Sequence, residues 1–376
     1  MIEKGIIYIP SNGIWKERDH IRYGLDFFKK KKVYPLVITT SHQETNYDYL
    51  AQKDQKERIS DFLRNKKNVN VIILGGCHFF KQLWLLKFLR KNRLPWALQV
   101  FNVIPETYNI NQPILFQIKR IIKIFLNKIA IKLFNINYPK YIFSSSKKSE
   151  LIQFLYFDYA SLKVEIPDEG YSKVINSKKH GEKKIIDVAG NYHSPEELQE
   201  GIVFVDEGGT HHPDQYTVKN YEGFYDDEYY NEIRNSLEKI SNIFSKKIFI
   251  AAHPSSNYQI DKYGNAPVFK DLTLELIKNC SMTVIHKSTA LNLSIIFNKP
   301  ILFLSSNFST KTYLKNQIKL AKIFRKVPLS YESLLRNYQL EDGIARKKDF
   351  IFYKDYLNKN TFDNQAYEII YKKLWD

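Results

Sequence analysis

Met282-Thr-Val-Ile-His-Lys-Ser-Thr-Ala-Leu-Asn-Leu-Ser-Ile-Ile-Phe-Asn-Lys-Pro-Ile-Leu-Phe-Leu304 decides the fold. An apolar run at Met282–His286 leads through a hydroxyl pair into a helical pattern at Ser288–Phe297. Asn-Lys-Pro then punctuates the chain before a second apolar run at Ile301–Leu304. Strands with no polar alternation are buried on both faces, as in a parallel sheet covered by crossover helices. The alternation continues outward. Upstream lie strand Ile202–Val205, a helix around Asp227–Phe244, strand Ile248–Ala252 and helix Leu272–Lys278. Helices near Lys311–Phe324 and Asp363–Trp375 follow downstream. The first half repeats the pattern with strands at Gly5–Ile9, Tyr34–Thr39, Val69–Leu74 and Trp96–Phe101, and with helices at Asp19–Lys31, Tyr49–Asn65 and Phe79–Lys91. Residues 171–186, rich in lysine and poor in apolar positions, read as a linker, so domains are expected at 1–180 and 181–376. A chain of 376 residues is long enough for two such cores. The expected fold class is α/β, with two doubly wound domains and a cleft between them. The loops Pro10–Gly13, Gly75–His78 and Asn102–Glu106 are candidate walls of an acceptor site, because ligands bind beyond the carboxyl ends of such strands.

Charged residues make up 26% and hydrophobic residues 44% of the chain, a globular balance that excludes intrinsic disorder. The formal net charge of +17 suits an anionic partner, although a chain saturated with Lys, Asn, Ile and Tyr carries part of that charge as a bias of composition. No nucleic-acid-reading module accompanies it, and nucleic acid is not an expected partner. Cys77 and Cys280 form neither a disulfide framework nor a ligand pattern, which fits a reduced cytoplasmic setting. Only a strand-length apolar run, Ile6–Ile9, stands near the N-terminus, so no secretory leader is expected.

Three clusters carry the chemistry. Ile202-Val-Phe-Val delivers Asp206 and Glu207 to a strand end, and Gly208-Gly209 lets the backbone pass close to a ligand. A carboxylate there suits a general base on a hydroxyl, with Asp206, nearer the strand, the stronger candidate and Glu207 and Gly208 supporting. The bland alternative is an acidic turn, and a second copy, Asp168-Glu169-Gly170, shows how readily it arises. His211, His212 and Asp214 follow on the same loop; His212 and Asp214 are possible supporting residues, but adjacent histidines point apart too often to make a metal site, and none is expected. In the second cluster Pro254 stops the strand immediately after His253, presenting an imidazole that can donate to a phosphate oxygen, with Ser255 beside it. In the third, Ser288 and Thr289 open a helix whose free N–H groups favour an anion; Lys287 and His286 precede them. A plain helix cap is the competing reading of that pair.

Residues 114–134, Ile-Leu-Phe-Gln-Ile-Lys-Arg-Ile-Ile-Lys-Ile-Phe-Leu-Asn-Lys-Ile-Ala-Ile-Lys-Leu-Phe, contain no acid. At helical spacing Ile114, Leu115, Ile118, Ile121, Ile122, Phe125, Leu126, Ile129 and Leu133 share one apolar arc. Lys119, Arg120 and Lys123 fall opposite, and Lys128 and Lys132 fringe one edge. Such a helix docks on anionic lipid, covers the sheet as an ordinary crossover, or docks on a partner.

Taken together, acid-acid-Gly, His-Pro and Ser-Thr in this order resemble the motifs of bacterial sialyltransferases and their capsule-synthesis relatives. The stretch from Ile202 to Leu304, with Asn298-Lys-Pro300, looks like the nucleotide-binding half of surface-polysaccharide transferases. The resemblance covers roughly 100 residues and implies a GT-B fold of two Rossmann-like domains, the acceptor side N-terminal and the nucleotide side C-terminal. It implies inverting, metal-independent transfer of a sialic, pseudaminic or legionaminic acid, or the related Kdo, from a CMP-activated donor to a glycan or lipid-linked glycan in capsule, O-antigen or lipooligosaccharide synthesis, with no cofactor. The basic helix at 114–134 agrees with a lipid-linked acceptor, so the expected location is cytoplasmic, with peripheral contact at the inner face of the plasma membrane as an option. Carried over residue by residue, Asp206 would be the base. His253 would protonate the departing phosphate, and Pro254, Ser255, Lys287, Ser288 and Thr289 would lie around it. Gly-Gly-Thr-His-His-Pro-Asp after the acids, and Lys-Ser-Thr in place of Ser-Ser, depart from the pattern and leave the sugar open. Alternatives are a transferase using another NDP-sugar or CDP-polyol donor, or a non-catalytic polysaccharide- or membrane-binding protein.

Overall fold

A computed structural model describes residues 3–10, 17–38, 52–74, 83–100, 131–145, 162–181, 183–207, 226–254, 260–336, 340–353 and 363–375, with Trp15, Ile122, Phe125, Ile129, Ser256 and Leu357. The first sheet holds β1 (Lys4–Pro10), β2 (Val33–Val37), β3 (Asn68–Leu74), β4 (Trp96–Val100), β5 (Tyr141–Ser144) and β6 (Leu162–Glu165). Its order is β2-β1-β3-β4-β5-β6, and every pairing is parallel. The second sheet holds β7 (Ile202–Val205), β8 (Ile248–Ala252), β9 (Val268–Lys270), β10 (Met282–Ile285), β11 (Ile301–Phe303) and β12 (Ile344–Ala345). They run β12-β11-β10-β7-β8-β9, parallel except for the antiparallel pair at β12. These are two doubly wound α/β units, the make-up of the GT-B class.

The apolar runs explain the strands. In β7 and β10 all four residues are buried, and in β8 all five. Helices pack on the sheet: Tyr229, Ile233, Leu237 and Ile240 of the helix Asp226–Phe244 meet Ile202, Phe204, Ile248 and Ile250 in one core. Each large apolar side chain so removed from water contributes roughly 1.5–3 kcal/mol. The first sheet has a core on each face. Ile7, Ile9, Val69, Val71 and Leu98 pack with Leu85, Leu86 and Leu89 of the helix Leu83–Lys91 on one side. Ile6, Tyr8, Ile72 and Phe143 pack with Phe28, Ala366 and Ile370 on the other.

One compact unit takes in the first sheet through Glu169 and the C-terminal stretch Tyr356–Asp376; the other is built on Gly170–Asp355. The linker expected at 171–186 is instead largely the helix Glu169–His180. Its apolar stripe is narrow, with Ile175 buried and Lys173, Lys178 and Lys179 exposed, so composition hid the periodicity. The expected helix Asp19–Lys31 is two helices, Glu17–Arg22 and Leu25–Lys30, parted at Gly24. Gly24 stands at φ 67°, and a Cβ there would come within 2.3 Å of the Tyr367 ring on the C-terminal helix Ala366–Trp375. Backbone sign and close approach both demand glycine.

Gly24→Ala is therefore expected to lower stability by roughly 1–3 kcal/mol, read as a lower urea midpoint at unchanged slope. A midpoint equal to the parent's would show that the Tyr367 contact yields at no cost.

Candidate functional site at the carboxyl ends of the second sheet

From β7 the chain winds to β8 and β9 on one side and to β10 and β11 on the other, so the winding reverses between β7 and β10. Loops leaving the carboxyl ends of such strands diverge and open a crevice for ligand. Val205 pairs with Ile285 on one side and Ala251 on the other, and Asp206 N–H donates to the Ala251 carbonyl at 3.0 Å. The acid pair, His253-Pro254 and Lys287-Ser288-Thr289 thus leave three neighbouring strands at one level, the acids in the middle.

The carboxylates tie the flanking loops to the central strand. Asp206, 2% exposed, accepts the backbone N–H of His253 at 3.4 Å. Glu207 accepts the backbone N–H of Lys287 and the hydroxyl of Tyr313, which stands in the first turn of the helix Lys311–Ile323. Part of Glu207 reaches the surface, but its carboxyl group is enclosed by protein. That enclosure raises its pKa to about 7, against the lowering effect of the Tyr313 and Lys287 hydrogen bonds and with added repulsion from Asp206. The buried Tyr229 phenol is pushed well up, first by burial and then by the charges of Asp206 and Tyr230, and stays protonated.

His253 is half-buried at the end of β8. Its carbonyl accepts from Ser256 N–H at 2.9 Å and Ser256 Oγ at 2.5 Å, and Lys270 Nζ donates to the Ser256 carbonyl at 3.2 Å. These bonds close the turn around exposed Pro254 and fix where the imidazole emerges. The third cluster departs from expectation. The helix runs Leu291–Ile296 and begins three residues later than Ser288. Ser288 Oγ accepts Ala290 N–H at 3.2 Å, and the carbonyls of Ser288 and Thr289 each accept at 3.1 Å, from Leu291 and Asn292 N–H. Local hydrogen bonding by the hydroxyl residues out-competes the helix for these groups. The pair therefore occupies a turn in front of the helix, with Thr289 exposed, and the first helical N–H groups are already engaged.

His286 is a core residue, 1% exposed, packed against Phe204 and Tyr229. Nδ1–H donates to the Leu304 carbonyl at 2.6 Å, while Nε2 has no hydrogen-bond partner among the described residues. Burial lowers its pKa to about 4, so it is neutral. Gly208, His211, His212, Asp214 and Ser255 lie outside the described residues, as do most of the first-half loops named above. Asp168 is buried and Glu169 pairs with Arg22 at 2.8 Å, all in the first unit, whereas these strand ends belong to the second. Tyr313 and Tyr229 escaped the sequence: nothing local to either links it to an acid about 100 or 20 positions earlier. Among the described residues no group of three or more His, Cys, Asp or Glu could hold a metal ion. No described helix is long and apolar enough to cross a membrane.

No family model and no curated protein matches the sequence. Among solved structures, the chain is similar to the Methanocaldococcus jannaschii UDP-GlcNAc 2-epimerase, at 11% identity and TM-score 0.48, covering 99% of this chain and 100% of that one. It is also similar to the glycosyltransferase SnogD of Streptomyces nogalater, at 9% identity, TM-score 0.44 and 99% coverage of each chain. The wall teichoic acid polymerase TagF is similar at 8% identity and TM-score 0.45, covering 99% of this chain and 88% of that one. The fold class rests on the chain's own strand order, and such distant likenesses add nothing on donor or reaction.

The Glu207 carboxyl binds a proton more tightly folded than unfolded, so it stabilises the fold fully below pH 4.5 and loses that contribution as pH rises through about 7. Glu207→Gln removes this titration. The melting temperature of the variant relative to the parent should therefore climb between pH 4.5 and about 7 and level off above. A difference that stays flat with pH would mean that Glu207 is an ordinary carboxylate.

Proposed function

We propose that this chain is an inverting glycosyltransferase of bacterial surface-polysaccharide synthesis that moves a nonulosonic acid from a CMP-activated donor to a glycan hydroxyl. One observation carries the reading. An acid pair, an imidazole turn and a Lys-Ser-Thr turn, scattered over more than 80 positions, leave three adjacent strands at the reversal point of one sheet. The motif resemblance supplies the donor class.

In this reaction a carboxylate takes the proton of the acceptor hydroxyl, and the freed oxygen forms a bond to the anomeric carbon. The bond from that carbon to the CMP phosphate oxygen breaks with its electron pair. His253 delivers a proton to the departing phosphate. Between the two acids, pKa favours Glu207 as the base: its carboxyl is raised to about 7, whereas Asp206 anchors the His253 turn. Lys287 and the hydroxyls of Ser288 and Thr289 neutralise and orient the phosphate from the neighbouring turn. In this reading the phosphate's charge is met by side chains, with no metal and no cofactor. The acceptor is a glycan, free or carried on lipid.

CMP is expected to raise the melting temperature of the purified protein where UDP, GDP and a short oligonucleotide do not. CMP release from a panel of CMP-sialic, -pseudaminic, -legionaminic and -Kdo donors would name the sugar. Stabilisation by UDP or GDP in place of CMP would replace the donor class, and stabilisation by the oligonucleotide alone would sink the enzyme.

With the accepted donor in hand, His253→Ala should lower kcat by roughly 10²-fold or more at unchanged melting temperature, the usual loss of one proton-transfer group. Glu207→Gln should lose activity comparably and Asp168→Asn should not. If Asp206→Asn loses activity with its fold intact while Glu207→Gln keeps it, Asp206 is the base.

A further inference from the structure

Within 114–134 the structure describes Ile122, Phe125, Ile129 and Ile131–Phe134, of which all but Phe134, in a turn, are helical. The described members of the apolar arc are exposed. Ile122 is 50% exposed, Phe125 62%, Ile129 38% and Leu133 75%. Their spacing of three, four and four positions stacks them in one stripe along about three turns of helix. Ile131, half a turn round from Ile122 at 100° per residue, is the residue buried against the first sheet, in the core with Leu89, Trp96 and Ile142. Among the described residues the helix is thus held at Ile131 and leaves the stripe of Ile122, Phe125, Ile129 and Leu133 exposed, the reverse of an ordinary crossover helix.

We propose that this stripe is a docking surface for an anionic lipid membrane. Charge selects the occupant. The segment carries Lys119, Arg120, Lys123, Lys128 and Lys132 and no acid, and exposed Lys132 stands next to Leu133. A second copy would set the same five cations against five, in a chain already at +17. A fluid lipid surface needs no matching pocket; it takes the apolar residues at the acyl boundary while the lysines extend their heads to the phosphates. The inference is independent of the donor and of the reaction.

The test is co-sedimentation of the full chain with vesicles of phosphatidylcholine alone and with 30% phosphatidylglycerol. The protein should pellet with the anionic vesicles and not with the neutral ones. The double variant Phe125→Ser/Leu133→Ser should bind at least tenfold more weakly while keeping the parent's melting temperature. If the double variant does not fold, Ile122→Ser carries the same comparison with a smaller expected loss. No binding to anionic vesicles overturns the proposal. So does binding that the serine variants leave unchanged, because the attraction would then be charge alone. A parent dimer in gel filtration that the serine variants dissolve would make a second copy the occupant and overturn it equally.

Discussion

Two adjacent carboxylates at the end of β7 hold the second sheet's upper rim together. Strand pairing positions backbones only as far as the ladder runs, and beyond Val205, Ala252 and Ile285 the three chains are free to diverge. Asp206 and Glu207 extend the register by side chain: one captures the N–H of His253, the other the N–H of Lys287. A carboxylate is purely an acceptor, so it suits loop N–H groups that have left their ladder. The loops that carry the chemistry are therefore located by the middle strand rather than by their own.

That arrangement has an electrostatic cost. Two acids in sequence at a buried strand end cannot both ionise as they would in water. The asymmetry of their surroundings divides them, with Asp206 serving the His253 backbone and Glu207 held to a pKa of about 7 by burial and its neighbour's charge. Tyr313 completes the division by donating to Glu207 from a helix that begins more than 100 residues later in the chain. His286 beneath them is neutral, so the core adds no opposing charge.

The central strands were legible because each is an unbroken apolar run ended by a turn residue; Ile248–Ala252 was read to the residue. The edges were not. β9 has three residues, β12 two, and β6 is Leu-Lys-Val-Glu with its first two residues exposed. Edge strands bury one flank only and are kept short, which leaves little pattern to read. Likewise the three clusters were visible as local motifs, while the bonds joining them were not. A backbone N–H at position 287 meeting a carboxylate at 207 is a property of strand order, and no window of sequence contains it. The helix at 114–134 was legible as a helix at its described residues, but not its orientation. Its period fixed which residues share a face, but not whether that face is turned inward, and Ile131 decided the question by docking from the other side.

The site's charge balance bears on what it can bind. A phosphate set beside two free carboxylates would be repelled, and a net charge of +17 spread over the whole surface does not repair a local clash at contact distance. The clash is relieved locally. Asp206 is turned to a backbone donor, and Glu207 spends about half its time protonated near pH 7 while two donors share what charge it carries. His253 and Lys287 leave the strands on either side of the acids, so an imidazole and an ammonium flank the acidic centre in strand order. Under the proposed transfer this order is what the chemistry needs. A carboxylate on the middle strand would take the acceptor proton, and the imidazole and ammonium on its two neighbours would meet the departing phosphate.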